Sequence, residues 1–251
     1  MENNNTSKKS DDTFDPGTAR FGNFINYYSF NPADERIRLL PNFVQFLGCT
    51  TERPSSRIVC MDIGCNTGEL TQALHTYITK SVGEKSECHI LGVDMDEILI
   101  LRANENNHSN FLTFKCASVM EENFKTIYRD YLEHQERHHF DVVFCFSVTM
   151  WIHLNHGDDG LKHFITSVSD TTNIIVVEAQ PWRCYTRAVN RMKHSKVESF
   201  PMFDQLKIRQ EVEDHIDNLL TKECNFTKVL QSSPTKWKRQ INIYKRNQCQ
   251  Q

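Results

Sequence analysis

No two of the nine cysteines form a C-x-x-C pair; they are scattered from Cys49 to Cys249 along 251 residues. That spacing excludes a zinc ribbon and offers no disulfide framework, so the thiols are expected to be reduced, several of them in core strands. No stretch approaches the roughly 18 apolar residues of a membrane span, and the leading MENNNTSKKSDD has no apolar signal core. The chain is therefore expected to be cytoplasmic, without membrane contact, and monomeric. Positive charge is not in excess either: 29 Lys and Arg face 32 Asp and Glu, for a net charge of -3. Any nucleic-acid contact must then come from local clusters rather than from a global field. Glycine is scarce at nine residues, about half of ordinary usage. Two of the nine, Gly64 and Gly68, fall four apart at the end of an apolar run.

What is present is enough for a real core: 39% of residues are hydrophobic and 16 are Phe. Length and composition suit one α/β domain. Residues 1–18, rich in Asn, Ser, Lys and Asp, read as a disordered tail, and 19–248 as a single domain. Apolar runs predict strands at 58–62, 88–93, 111–116, 140–146, 173–178, 226–231 and 240–245. Helical patterns are predicted after Asn31 and over 69–80, 96–107 and 121–137. Alternation of strand and helix over the first five strands indicates a parallel sheet covered on both faces. The last two strands, joined by a short turn at Ser233 and Pro234, must be antiparallel.

The two close glycines sit in IVCMDIGCNTGEL, where an apolar strand ends at Asp62 and breaks into a glycine loop ahead of a helix. Glycine belongs where backbone must bend sharply or approach a ligand. A dinucleotide site uses G-x-G-x-x-G to bring helix amides to a pyrophosphate. Here the spacing is D-x-G-x-x-x-G, which resembles the first motif of S-adenosylmethionine-dependent methyltransferases of class I, Rossmann-like fold. Asp94 ends the second strand, placed to accept from both ribose hydroxyls; Asp96 is the better N-cap for the helix that follows. Asn66 lies inside the loop, either touching the methionine moiety or tolerating a left-handed backbone. Ser118 and Val119 follow the third strand, where they contact adenine or merely end the strand.

The fourth strand runs into SVTMWIHLNHGDDGL and the fifth into EAQPWRCY. With FGNFINYY and RIRLLP near the start, these segments resemble the bicoid-interacting-protein family of RNA 5′-phosphate methyltransferases, over roughly residues 21–246. The short chain is most similar to the family's 5′-monophosphate branch, whose substrates include histidine tRNA and precursor microRNAs. The resemblance implies S-adenosylmethionine as cofactor and an N-terminal segment that closes over the active site. It places Arg36 and Asn66 at the cofactor's amino acid end, Asp62, Gly64 and Gly68 in the loop, Asp94 on the ribose, Ser118 and Val119 beside adenine, and Phe146 on the pocket floor. It implies a small RNA with a 5′-phosphate as partner.

A terminal phosphate is already anionic at neutral pH, so no general base is expected. The site must supply donors that orient the phosphate, for which Tyr27, Arg38, Asn155, Gln180 and His153 are candidates beside Arg36. His153, His156 and Asp158 have spacing that suggests a metal, but three such residues in a loop more often form hydrogen bonds, and no metal is expected. His134, His138 and His139 read as a solvated helix end. Arg183, Arg187 and Arg191 recur every four residues with no acid up to Lys196; on a helix they share one face and suit an RNA backbone. Lys236, Lys238 and Arg239 form a second basic group. Trp151 and Trp182 stack on the first RNA base or pack in the core. The rivals are a γ-phosphate capping enzyme and an RNA-binding protein without catalysis.

Overall fold

Long apolar runs with no polar alternation require strands covered on both faces, and the computed structural model has them at the centre of one sheet. It describes residues 19–47, 57–83 and 86–248; the tail expected over 1–18 lies outside the described residues. The strands are β1 (Arg57–Ile63), β2 (Glu87–Asp94), β3 (Leu112–Cys116), β4 (Phe140–Phe146), β5 (Thr172–Glu178), β6 (Phe226–Gln231) and β7 (Asn242–Arg246), in the order β3-β2-β1-β4-β5-β7-β6. The first five pair in parallel, whereas β7 runs against both β5 and β6. The expected antiparallel pair is thus present, with β7 slotted between β5 and β6.

Successive strand residues point to opposite faces, and two cores result. Ile58, Cys60, Ile90, Val142, Phe144 and Val176 pack with Leu70, Leu74 and Ile78 of α3 (Glu69–Val82) and with Ile100 and Ala103 of α4 (Glu97–Glu105). Val59, Met61, Leu91, Val143, Ile175 and Val177 pack beneath α5 (Asn123–His134), α6 (Thr149–Ser169), α7 (Trp182–His194) and α8 (Val212–Asn218). Asp96 caps α4, accepting from the backbone N–H groups of Ile98 and Leu99.

The segment after β4 corrects the sequence reading. What the sequence suggests is a loop is α6, broken but not ended at Gly157 (φ 74°, ψ -173°). Gly157, Gly160 and the Asp pair carry turn chemistry, yet Leu154, Leu161, Phe164, Ile165 and Val168 recur at helical spacing and are all buried. Burial of that stripe outweighs the weak local preference. α8 has no counterpart in the sequence reading, and two short helices, α1 (Tyr27–Phe30) and α2 (Ala33–Ile37), occupy the aromatic N-terminal segment.

Candidate active site

The strand order reverses between β1 and β4, the place where parallel sheets bind ligands beyond their carboxyl ends. The glycine turn leaves β1 there. Gly64 and Gly68 have φ of 74° and 79°, a region open to glycine but costly for other residues. A Cβ on Gly64 would come within 2.4 Å of Val148 Cγ1, so backbone and the β4–α6 turn touch directly. Asn66, also left-handed at φ 52°, accepts from Thr67 N–H at 2.8 Å and donates through Nδ2 to the Phe24 carbonyl at 2.9 Å. It therefore ties the loop to the N-terminal segment.

Two adjoining cavities open above this turn. One is lined by Val93, Asp94, Met95, Ser118, Val119 and Met120, with Phe21, Val148, Trp151 and His156 on the facing side. It is largely apolar and suits a flat ring. The second is lined by Tyr28, Arg36, Asp62, Gly64, Asn66, Asp94 and Phe146. One guanidinium and two carboxylates in one cavity match a zwitterionic amino acid with a diol beside it. Asp94 accepts from the backbone N–H groups of Asn66 and Asp96, both at 3.0 Å, which fixes its carboxylate at the junction of the two cavities. Burial pushes its pKa up, against those two hydrogen bonds. Asp62 is pushed up to about 7 by burial, a shift that the Thr71 hydroxyl at 2.6 Å and Arg36 oppose and Asp94 reinforces.

Arg36 is fully buried. It pairs with Glu178 at 2.7 Å and donates to the Tyr27 and Ser147 hydroxyls at 2.6 and 3.0 Å. Burial alone would lower its pKa; Tyr27 and Glu178 reverse that and hold it above the ordinary arginine range. Its Nη1 is buried without a hydrogen-bond partner. An unpaired guanidinium N–H in a cavity is what a bound carboxylate would satisfy, so the chain's own residues fit the cofactor's amino acid end.

A third cavity, of about 150 Å³, lies on the other side of Ser147, far more than one water needs. Tyr27, Ser147, Gln180, Arg187, Arg191 and Arg239 line it, with Trp151 and Phe24. It is cationic and opens beside the cofactor cavities.

Of the residues read from the sequence, the structure brings Asp62, Gly64, Asn66, Asp94, Arg36 and Phe146 together, with Ser118 and Val119 in the ring cavity. Gly68 lies outside these cavities and serves as the left-handed N-cap of α3. Three phosphate candidates are not at the cavities. Arg38 is largely exposed and pairs with Glu35. Asn155 faces Arg20, exchanging hydrogen bonds with its Nε and carbonyl. His153 is fully buried between Tyr185 Oη at 3.0 Å and Asp158 at 2.7 Å. All three follow from the helical turn of α2 or α6, which rotates them off the cavity side. Gln180 lines the third cavity, but its amide is committed to Ser147 O, Thr149 Oγ1 and Met150 N. The Asp158 pairing also uses up the metal-spaced motif, and among the described residues no three His, Cys, Asp or Glu gather as a metal set.

The arginine stripe is helical, on α7, but divides. Arg187 and Arg191 line the third cavity while Arg183 donates to the Lys238 carbonyl at 2.5 Å. Trp182 stacks on Phe203 and Tyr185, so it packs; Trp151 reaches all three cavities. Sequence reasoning missed Glu178, Trp237 and the cavity role of Arg239. Glu178 ends β5 as Asp94 ends β2, and the rule that singled out Asp94 would have found it; nothing local points to Trp237.

This geometry, with the glycine turn at the β1/β4 switch and an acid at the tip of β2, defines a class I methyltransferase. The sheet matches solved members of that class: NodS, an N-methyltransferase from Bradyrhizobium japonicum in complex with S-adenosyl-L-homocysteine, has a TM-score of 0.53 at 12% identity, over 88% of this chain and 91% of that one. The CurJ carbon methyltransferase gives 0.55 at 13%, over 89% and 57%. A methyltransferase domain description matches residues 61–172, and that of bicoid-interacting protein 3 (Bin3) matches 140–246. A Xenopus laevis pre-miRNA 5′-monophosphate methyltransferase is 36% identical over 92% of this chain and 94% of its own length. The RNA 5′-monophosphate methyltransferases of Rattus norvegicus and Homo sapiens are 36% and 34% identical, over 92% and 93% of this chain and 84% and 82% of theirs. The chain belongs to the bicoid-interacting protein 3 family.

Proposed function

We propose that this protein transfers a methyl group from S-adenosylmethionine to the 5′-monophosphate of a small RNA. The observation that carries the reading is the cationic cavity of Arg187, Arg191 and Arg239 beside the zwitterion-matched one, with Ser147 lining both. The relatives named for 5′-monophosphate and pre-miRNA methylation support the acceptor. Precursor microRNA is the first substrate to test and histidine tRNA the second.

S-adenosylmethionine supplies an electrophilic methyl on a sulfonium. Arg36 holds the carboxylate, Asp62 faces the ammonium, Asp94 holds the ribose, and Ser118 and Val119 border the base. The acceptor oxygen is already anionic, so these residues need not remove a proton; they align it and exclude water. Tyr27 supplies a neutral donor, and the arginines of α7 supply charge. Transfer of labelled methyl to matched RNAs ending in hydroxyl, monophosphate or triphosphate tests the reading. Label on the monophosphate RNA alone is expected; label on the hydroxyl-ended RNA refutes it, and preference for the triphosphate favours the capping activity instead.

A further inference from the structure

One carboxylate stands between the cofactor cavity and the acceptor cavity. Glu178 is fully buried at the end of β5. Its Oε2 accepts from Arg36 Nε at 2.7 Å and from the Ser147 hydroxyl at 3.1 Å. Its Oε1 accepts from the Trp237 indole N–H and lies 3.8 Å from Arg239 Nη1. The Ser147 oxygen in turn accepts from Arg36 Nη2 at 3.0 Å and from Arg239 Nη1 at 2.6 Å. Ser147 adopts φ 59°, a left-handed conformation that a non-glycine residue keeps only where its surroundings hold it.

Two arginines therefore share one acid and one hydroxyl, and each keeps a buried N–H without a partner: Nη1 of Arg36 and Nε of Arg239. Buried donors are ordinarily paired, and these two belong to side chains that line the two cavities. Arg36 lines the cavity matched to the amino acid end, and Arg239 lines the cationic one.

We infer that Glu178 is a positioning residue shared by both sites, aiming Arg36 at the cofactor's carboxylate and Arg239 at the acceptor phosphate. This rests on the acceptor reading above. Two buried guanidinium groups without a counter-ion would be costly; Glu178 supplies that counter-ion and holds both side chains in place, while Arg187 and Arg191 add the remaining charge of the acceptor cavity.

The test uses Glu178→Gln, with affinity for S-adenosylhomocysteine measured by calorimetry and for matched 5′-monophosphate and 5′-hydroxyl RNAs by filter binding. Loss of a charge-assisted contact predicts about a tenfold fall in homocysteine-product affinity, and a similar fall in the preference for monophosphate over hydroxyl ends. Affinity for the hydroxyl-ended RNA stays unchanged, which a general loosening of the fold would not allow. Arg239→Gln should lose only the phosphate preference. A Glu178→Gln protein that loses one affinity and keeps the other overturns the inference, as does one that keeps both. If Glu178→Gln does not melt cooperatively, Ser147→Ala decides: it must weaken both affinities, and no change in either overturns the shared role. A wild-type protein with no monophosphate preference overturns the acceptor reading and this inference together.

Discussion

Binding of the cofactor should release a proton from Asp62. The carboxyl is 2% exposed and burial pushes its pKa up to about 7, with Asp94 adding to the rise. Without ligand, Asp62 is about nine-tenths protonated at pH 6 and about one-tenth at pH 8. A ligand ammonium facing it favours the ionised form and draws the pKa down. Affinity for S-adenosylhomocysteine should then rise about tenfold from pH 6 to pH 8. Calorimetry in two buffers of different ionisation enthalpy gives the proton count directly, close to one released at pH 6 and close to none at pH 8. The ligand-free protein carries the opposite consequence. Its folded state binds more protons than the unfolded chain between pH 4 and 7, so this group costs stability as pH rises through that window, by about 4 kcal/mol at most. Asp62→Asn should abolish both slopes. An affinity that is flat from pH 6 to 8, with no proton exchanged, would refute the placement of Asp62 against a cation.

Four further outcomes follow from the geometry. Asp94→Ala removes the acceptor at the junction of the two cofactor cavities and strands the Asn66 and Asp96 N–H groups; a fluorescence titration with S-adenosylhomocysteine should show affinity down by at least about tenfold, and unchanged affinity would remove the ribose assignment. Changing Arg187 and Arg191 to Glu should weaken RNA binding and lower the slope of log affinity against log salt by about 1 to 2, leaving cofactor affinity intact; equal affinity at two salt concentrations would exclude the acceptor cavity as an RNA contact. His153→Ala strands the Tyr185 hydroxyl in the core and takes one of three hydrogen bonds from Asp158, so the melting temperature should fall while KM for RNA holds; a raised KM with normal stability would return His153 to the site. Phe144→Ala, at 0% exposure against Phe43 and Phe146, should cost about 3–5 kcal/mol in urea unfolding, and a loss below about 1 kcal/mol would mean the site floor is not built on that packing.

The strands were legible because β1, β4 and β5 are buried on both faces and must be continuously apolar, a pattern that needs no knowledge of neighbours. The glycine turn and Asp94 were legible for a similar reason: a left-handed backbone and an acid at a strand tip are local requirements. α6 was not, because its glycine and aspartate signals are local while the burial of Leu154, Leu161 and Phe164 is not. His153, Asn155 and Arg38 read as phosphate donors while their facing was unknown. The period of a helix decides which side chain meets the cavity, and two residues, about 200° of turn, separate Trp151, in the site, from His153 behind it.

By itself the sequence determined the strands, the cofactor turn and the family resemblance, since each is read from short runs of contiguous residues. Only the tertiary structure decided how the acceptor side is built. Glu178 from β5, Ser147 from the end of β4, Arg36 from the N-terminal segment and Arg239 from the β6–β7 connection meet in one buried network. No spacing encodes that meeting; it exists because β7 inserts between β5 and β6, and its leading loop is carried back over the carboxyl end of the sheet.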